Sequence, residues 1–194
     1  TDAADDAAAP PVLYFDTETC GYGGFRPPTQ RLVQIAWMFG DRAVDYLIED
    51  VERINPEVPH PHSVEDCRKR GVPFRTAFDA FMADVRACDR VVAHNLAFDR
   101  GILENELRLR RLDATELSGM MDSKGFCTMA STTDLCRLPP KSKFVRGYKY
   151  PRLEELYVHL FERRPSVGLH DAYNDTTVLR ECHETLLARG LVVS

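Results

Sequence analysis

The sequence predicts an α/β or α+β fold, one sheet with helices packed on its faces, and three observations carry that prediction. Three strand-like apolar segments follow one another between Val12 and Ile48, helical apolar spacing takes over from Phe78, and one further strand stands among the helices at Arg90 to Ala93. The length suits one domain: 194 residues with 44% apolar and 28% charged side chains are enough for a single buried core.

Residues 1–10 carry Asp2, Asp5 and Asp6 among alanines without periodicity, so a flexible lead-in is expected there and a single domain over 11–194. Val12 to Phe15 is a short apolar strand that ends in Asp16. Arg31 to Phe39 and Ala43 to Ile48 are two more, separated by the Gly40-Asp41 turn, and the three read as an antiparallel β-β-β opening. Cys20 to Thr29 is too rich in Gly and Pro for a regular element, and Asn55 to Pro61 is a second proline-punctuated connection. Phe78, Phe81, Met82 and Val85 then fall at i, i+3, i+4 and i+7, one apolar helix face ending near Cys88. After the Arg90 to Ala93 strand, Phe98, Ile102, Leu103 and Leu107 mark a second helix, and Leu153, Leu156, Tyr157, Leu160 and Phe161 a third. Ala172 to Ala188 forms a fourth, with Gly190 as its stop.

No uncharged apolar run approaches the roughly 18 residues of a membrane span, and the first ten residues hold no cationic leader, so a soluble intracellular protein with no membrane partner is expected. The six cysteines form no C-x-x-C pair and no zinc-finger spacing, which points to unpaired thiols rather than a disulfide framework. A formal charge of −5 is the wrong sign for nucleic-acid binding by bulk electrostatics, unless several acids are metal ligands whose charge bound cations cancel.

Three segments carry chemistry. Asp16-Thr17-Glu18 closes the first strand, where alternate residues project to one side and two carboxylates converge on one cation. The triplet alone is weak, since Asp50-Val51-Glu52 repeats it in a segment read as a solvated turn. Val91 to Asp99 is a strand running into a helix, with Asn95 at the N-cap and Asp99 about one turn inside; Asp99 there also fits a purely electrostatic role at the helix N-terminus, and His94 a hydrogen-bonded structural one. His170 to Asp175 opens the last helix. An imidazole accepts a proton from water near neutral pH, which a carboxylate does poorly, and H-x-A-x-x-D is expected by chance only about 0.05 times in such a chain.

In this order FDTET at Phe15 to Thr19, HNLAFD at His94 to Asp99 and HDAYND at His170 to Asp175 resemble the motifs of the DnaQ-like 3′–5′ exonucleases of the DEDDh class. RLVQIAW at Arg31 to Trp37 is similar to that family's second strand, and CTMASTTDLCRL then YPRLEELYVHLF to its final strand and following helices, so the likeness covers residues 11–188. It implies a ribonuclease-H-like five-stranded mixed sheet, its first three strands antiparallel, flanked by helices. It also implies release of nucleoside 5′-monophosphates from a 3′ end with two divalent cations, Mg²⁺ or Mn²⁺. Asp16 then corresponds to the carboxylate bridging both metals, Glu18 and Asp175 to ligands of the metal that activates water, Asp99 to the second-metal side, and His170 to the general base. Two cations about 3.5–4 Å apart make the hydroxide and steady both the non-bridging and the leaving oxygen. Asp171, on nearly the same helical face, is the alternative to Asp175. The chain departs from many relatives at Cys20-Gly21 and from bacterial proofreading members at Cys127-Thr128, none of them among the five catalytic positions.

For the substrate, expected to be single-stranded or frayed DNA in preference to RNA, Thr17, Thr19, Asn95 and Phe98 are expected beside the terminal nucleotides. Leu135 to Leu153 holds six basic residues and no acid, with Phe144, Tyr148 and Tyr150 interleaved, and Lys141, Lys143, Arg146 and Lys149 are its expected phosphate contacts. The same segment also reads as a solvated basic loop. Nucleic acid is the expected partner, with a polymerase or a second copy of the chain as further ones. The rival readings are a proofreading subunit, a 3′–5′ exoribonuclease and a non-catalytic binding module on the same fold. A calcium-binding protein lacks its D-x-D-x-D-G loop here.

Overall fold

The computed structural model describes residues 11–22, 30–58, 60–140, 142, 144 and 146–193; the expected lead-in over residues 1–10 and most of the glycine-rich loop lie outside them. Strand β1 (Val12–Thr19) is the middle of a five-stranded sheet. It runs past Phe15 through the acidic triplet, because its antiparallel ladder with β2 (Leu32–Phe39) continues from Leu13 opposite Phe39 to Glu18 opposite Gln34 and slips only between Glu18 and Thr19. β3 (Arg42–Leu47) pairs antiparallel with β2 across a turn where Gly40 takes φ +60°, the positive φ that a tight hairpin requires.

Helix α1 (Val64–Arg70) was not expected from periodicity. Its signal is a capping box, in which the Ser63 hydroxyl accepts from Asp66 N and the Asp66 carboxylate accepts from Ser63 N. Helix α2 (Phe74–Ala87) follows the apolar spacing and sets Phe81 against Phe15 and Trp37, ring centroids 5.1 and 5.5 Å apart. β4 (Arg90–Ala93) pairs parallel with β1, and α3 (Leu96–Leu109) returns over the sheet. Helix α4 (Thr115–Lys124) was also unexpected, since only Leu117 and Met121 of its ten residues are buried and it shows no apolar stripe.

The fifth strand, β5 (Gly125–Cys127), pairs parallel with β4 and completes the order β3-β2-β1-β4-β5. The segment likened to a final strand and following helices gives its strand residue at Cys127 and is helical from there, in α5 (Thr128–Ser131) and α6 (Thr133–Cys136). Thr128 turns the chain inward: its hydroxyl donates to Ala93 O (3.3 Å), and its carbonyl accepts from the Thr132 hydroxyl (2.7 Å). Helices α7 (Leu153–Phe161) and α8 (Ala172–Ala188) close the chain where the spacing placed them.

Helices cover both faces of the sheet. Leu13, Phe15 and Val91 join α2, α3 and α4 in one core, while Tyr14, Val92 and Met38 join α7 and α8 in the other. The alternation along β1 therefore points Asp16 and Glu18 toward the α8 side and Thr17 toward the α3 side. This mixed sheet between helices is the architecture expected from the sequence. No helix of the described residues is long and apolar enough to cross a membrane.

A buried acid fastens α3 to the sheet. Glu106 is 0% exposed, accepts from Leu32 N (2.9 Å) and Arg31 Nε (2.8 Å), and pairs with Arg110. Asp99, Ile102, Leu103 and Glu106 lie on one buried helical stripe, so Glu106 fixes the height at which Asp99 meets β1. Removing one partner of a buried pair strands the others. Glu106→Ala should cost about 3 kcal/mol in urea-induced unfolding, and a loss below about 0.5 kcal/mol would show that the arginines do not depend on it.

Candidate active site

Asp16 and Glu18 emerge on one side of β1, and the first turn of α8 brings Asp175 over them. One carboxylate oxygen from each lies within 4.8 Å of the other two, and all three residues are half-buried. Burial, then the charges of Asp99, Asp175, Glu18 and Asp171, push Asp16 well above the usual carboxylate range. Burial and the Asp175, Asp99 and Asp171 charges raise Glu18 to about 8. Asp175 is raised to about 6, chiefly by burial, with the His170 N–H and charge opposing.

Asp99 reaches the same strand from the α3 side and is 2% exposed. Its Oδ1 accepts from Thr17 N (3.1 Å) and from the Thr17 hydroxyl (2.7 Å), and burial outweighs these bonds to raise it to about 7. It stands next to the three-carboxylate group without joining it. Asn95 occupies the N-cap position of α3 as expected, but with φ 80° and no capping hydrogen bond from its side chain. His94 is structural: Nδ1 meets the Thr128 hydroxyl at 2.9 Å and Nε2 meets Pro151 O at 3.0 Å.

His170 is exposed at the mouth, in the left-handed region at φ 71°. Its N–H points at both Asp175 oxygens (3.3 and 3.4 Å), which ties the histidine's backbone to the acid beside it. Asp171 caps α8, its Oδ1 accepting from Asn174 N (3.1 Å), and its Oδ2 accepts from Gln34 Nε2 (3.3 Å). Of the two acids the sequence left open, Asp175 is therefore the one that meets Asp16 and Glu18.

The residues expected to touch substrate fare unevenly. Thr17 is buried and both its N–H and its hydroxyl are engaged by Asp99, so it supports an acid rather than facing a strand. Lys149 is likewise withdrawn: its Nζ binds both Glu155 oxygens (2.6 and 2.8 Å). Thr19 is half-buried at the end of β1, Asn95 is half-buried, and Phe98 packs partly against the core. Arg146 is exposed, and Lys141 and Lys143 lie outside the described residues.

Sequence reasoning missed Gln34 and His62. Gln34 is 0% exposed; its Nε2 donates to Asp45 Oδ1 (2.9 Å), and its Oε1 accepts from Ala172 N (3.0 Å). The available signal was one amide inside the apolar run RLVQIAWMF, which cannot be buried without partners. His62 Nε2 lies 3.3 Å from Asp171 Oδ2, an electrostatic approach rather than a formed hydrogen bond.

The donor set fits a hard divalent cation. It is all carboxylate oxygen, it converges from two elements, and both burial and the neighbouring negative charges, which raise Asp16 and Glu18, disfavour the charged form that a bound cation favours.

No family model matches the chain, and no curated protein matches it in sequence. Solved structures do. E. coli Exonuclease I in complex with a dA16 oligonucleotide is 17% identical with a TM-score of 0.61, over 94% of this chain and 42% of that one. The zinc-bound form of the E. coli enzyme with single-stranded DNA is 17% identical with a TM-score of 0.69, over 93% and 41%. A 3′-exonuclease described in 3′-end-specific recognition of a histone mRNA stem-loop is 11% identical with a TM-score of 0.66, over 96% and 66%. The chain thus spans about two fifths of the Exonuclease I chains it matches. With its 3-2-1-4-5 strand order, the chain has the ribonuclease-H-like fold that these exonucleases share.

Proposed function

We propose that the protein is a metal-dependent 3′–5′ exonuclease of the DEDDh type. The observation that carries this is the meeting of Asp16, Glu18 and Asp175 within 4.8 Å, with the backbone of His170 bonded to Asp175 and Asp99 against Thr17. Asp16, Glu18 and Asp175 would hold one divalent cation, and Asp16 with Asp99 the side of a second. Bound there, Mg²⁺ or Mn²⁺ supplies a nucleophilic hydroxide at neutral pH and charge for the phosphate and leaving oxygens. His170, exposed at the mouth, takes the proton of the attacking water. Thr17 keeps Asp99 ionisable by donating twice to it, and the His170 N–H does the same for Asp175. The products are nucleoside 5′-monophosphates.

The substrate we propose is a single-stranded or frayed 3′ end, DNA before RNA. Support comes from Exonuclease I bound to a dA16 oligonucleotide; the histone mRNA 3′-exonuclease makes RNA the alternative. A 5′-labelled set of single-stranded, 3′-overhanging and 3′-recessed oligonucleotides in DNA and RNA versions, with Mg²⁺, Mn²⁺, Zn²⁺ or EDTA, tests this. We expect a ladder shortening from the 3′ end, lost in EDTA and lowered about 1,000-fold or more in Asp16→Ala. Binding without cutting under every metal would favour a non-catalytic module on this fold.

The raised carboxylates also set a pH dependence for the metal-free protein. Each binds its proton more tightly folded than unfolded, so their stabilisation is complete below the unfolded values of 3.8 and 4.5 and is lost as pH rises through about 6, 7 and 8. The Tm in EDTA should fall by at least about 4 °C across this range, which corresponds to roughly 1 kcal/mol in a chain of this size. Millimolar Mn²⁺ should restore it at pH 8. A Tm that rises from pH 5 to pH 8 in EDTA would contradict the carboxylate cluster.

A further inference from the structure

The proposed chemistry needs α8 to present Asp175 and His170 to β1 in one fixed pose, and the contacts that set this pose run through neighbours with no role in it so far. We propose that Asp171 is a positioning residue, clamped between Gln34 of β2 and His62 of the connection before α1, which aims Asp175 and His170 at the β1 carboxylates. This rests on the exonuclease reading above.

Asp171 governs the start of α8 twice. Its carboxylate caps Asn174 N, and its carbonyl accepts from the N–H of Asp175 itself at 2.8 Å. Gln34 then refers that turn to the sheet. It stands opposite Glu18 in the β1–β2 ladder, donates to Asp171 Oδ2 and accepts from Ala172 N. One buried amide thereby links the position opposite Glu18 to the first turn of α8. Asp45 of β3 accepts from the same Nε2 at 2.9 Å, which leaves the Gln34 oxygen facing Ala172 N and makes the flipped amide unfavourable.

His62 approaches the same Asp171 oxygen from the connection before α1. Its Nε2 lies 3.3 Å from Asp171 Oδ2, and its side chain is only 14% exposed. Its own backbone is held by His60, whose Nδ1 accepts from His62 N at 3.1 Å. His62 belongs to no strand or helix, so its side chain is removable without breaking a ladder. Asp171 is not a metal ligand in this arrangement, since its oxygens face Asn174 N, Gln34 Nε2 and His62, and it stands outside the three-carboxylate group.

The test compares wild type, His62→Ala, His62→Gln, Asp171→Asn and Asp175→Asn in three measurements. These are amide hydrogen exchange of the metal-free protein, the Tm rise on adding Mn²⁺, and kcat and KM on a single-stranded DNA oligonucleotide. For His62→Ala we expect amides of Ala172, Asp175 and Thr176 to exchange about tenfold faster while β1 and β2 are unchanged. Its kcat should fall by about 10- to 100-fold with KM within about twofold. His62→Gln, which keeps a polar side chain of similar reach beside Asp171, should recover much of the loss. Asp171→Asn should keep a Mn²⁺ response that Asp175→Asn loses. Unchanged kcat and α8 exchange in His62→Ala would overturn the proposal, as would an Asp171→Asn protein as deaf to Mn²⁺ as Asp175→Asn. Should wild type bind Mn²⁺ yet cut no strand, the exonuclease reading fails separately, and the exchange data still judge the clamp.

Discussion

Carboxylates held within 4.8 Å of one another repel, and much of the structure around the end of β1 is what holds them there. A strand alone could not do it. Asp16 and Glu18 are carried by a ladder whose other partner, β2, is buried along nearly its whole length, so fraying away from the repulsion would expose apolar surface. Asp175 is carried by a capped helix that the opposite core grips through Val178, Leu179, Cys182 and Leu186. The apolar cores thus supply the free energy that the acidic site opposes.

Two buried polar side chains transmit that grip to the chemistry. Gln34 joins β2 to the start of α8, and Glu106 joins the start of β2 to α3. Both acid-bearing helices are therefore referenced to the same strand, one from each face of the sheet. Such groups help only when fully satisfied, because a donor or acceptor stranded in the interior costs about 1–3 kcal/mol. Gln34 uses both ends of its amide, and Glu106 faces a backbone N–H and two arginines.

The strands were legible as short apolar runs bounded by turn residues, and the long helices because their apolar residues recur at 3.6, signals that depend only on neighbours along the chain. Helix α4 was not, since two buried residues in ten make no stripe, and β5 was not, since three residues carry no period. The acidic positions were legible for a different reason: their residue types recur in a fixed order that chance rarely produces. Partnerships across the chain were beyond reach. Nothing local to Thr17 says that Asp99 will engage both its donors, nothing local to Lys149 says that Glu155 will take its ammonium, and nothing local to Asp171 says that Gln34 and His62 will hold it. Side chains expected at the substrate were moved into the framework by contacts that exist only once the sheet has formed.

That reassignment changes how a nucleic-acid strand would be held under the proposed function. With Lys149 in an ion pair and a formal charge of −5, bulk attraction for phosphate is weak, and binding falls to contacts that do not depend on net charge. The segment between α6 and α7 has such contacts to offer: Phe144 is 98% exposed, Tyr150 62% and Tyr148 45%. Aromatic faces stack on any base, so they grip a strand without reading its sequence, and they do so only where bases are unpaired. Under the proposed function, such contacts would favour a single-stranded or frayed end over a duplex. Asp16, Glu18 and Asp175 would then hold a cation's charge at the phosphate to be cut, where net charge supplies none.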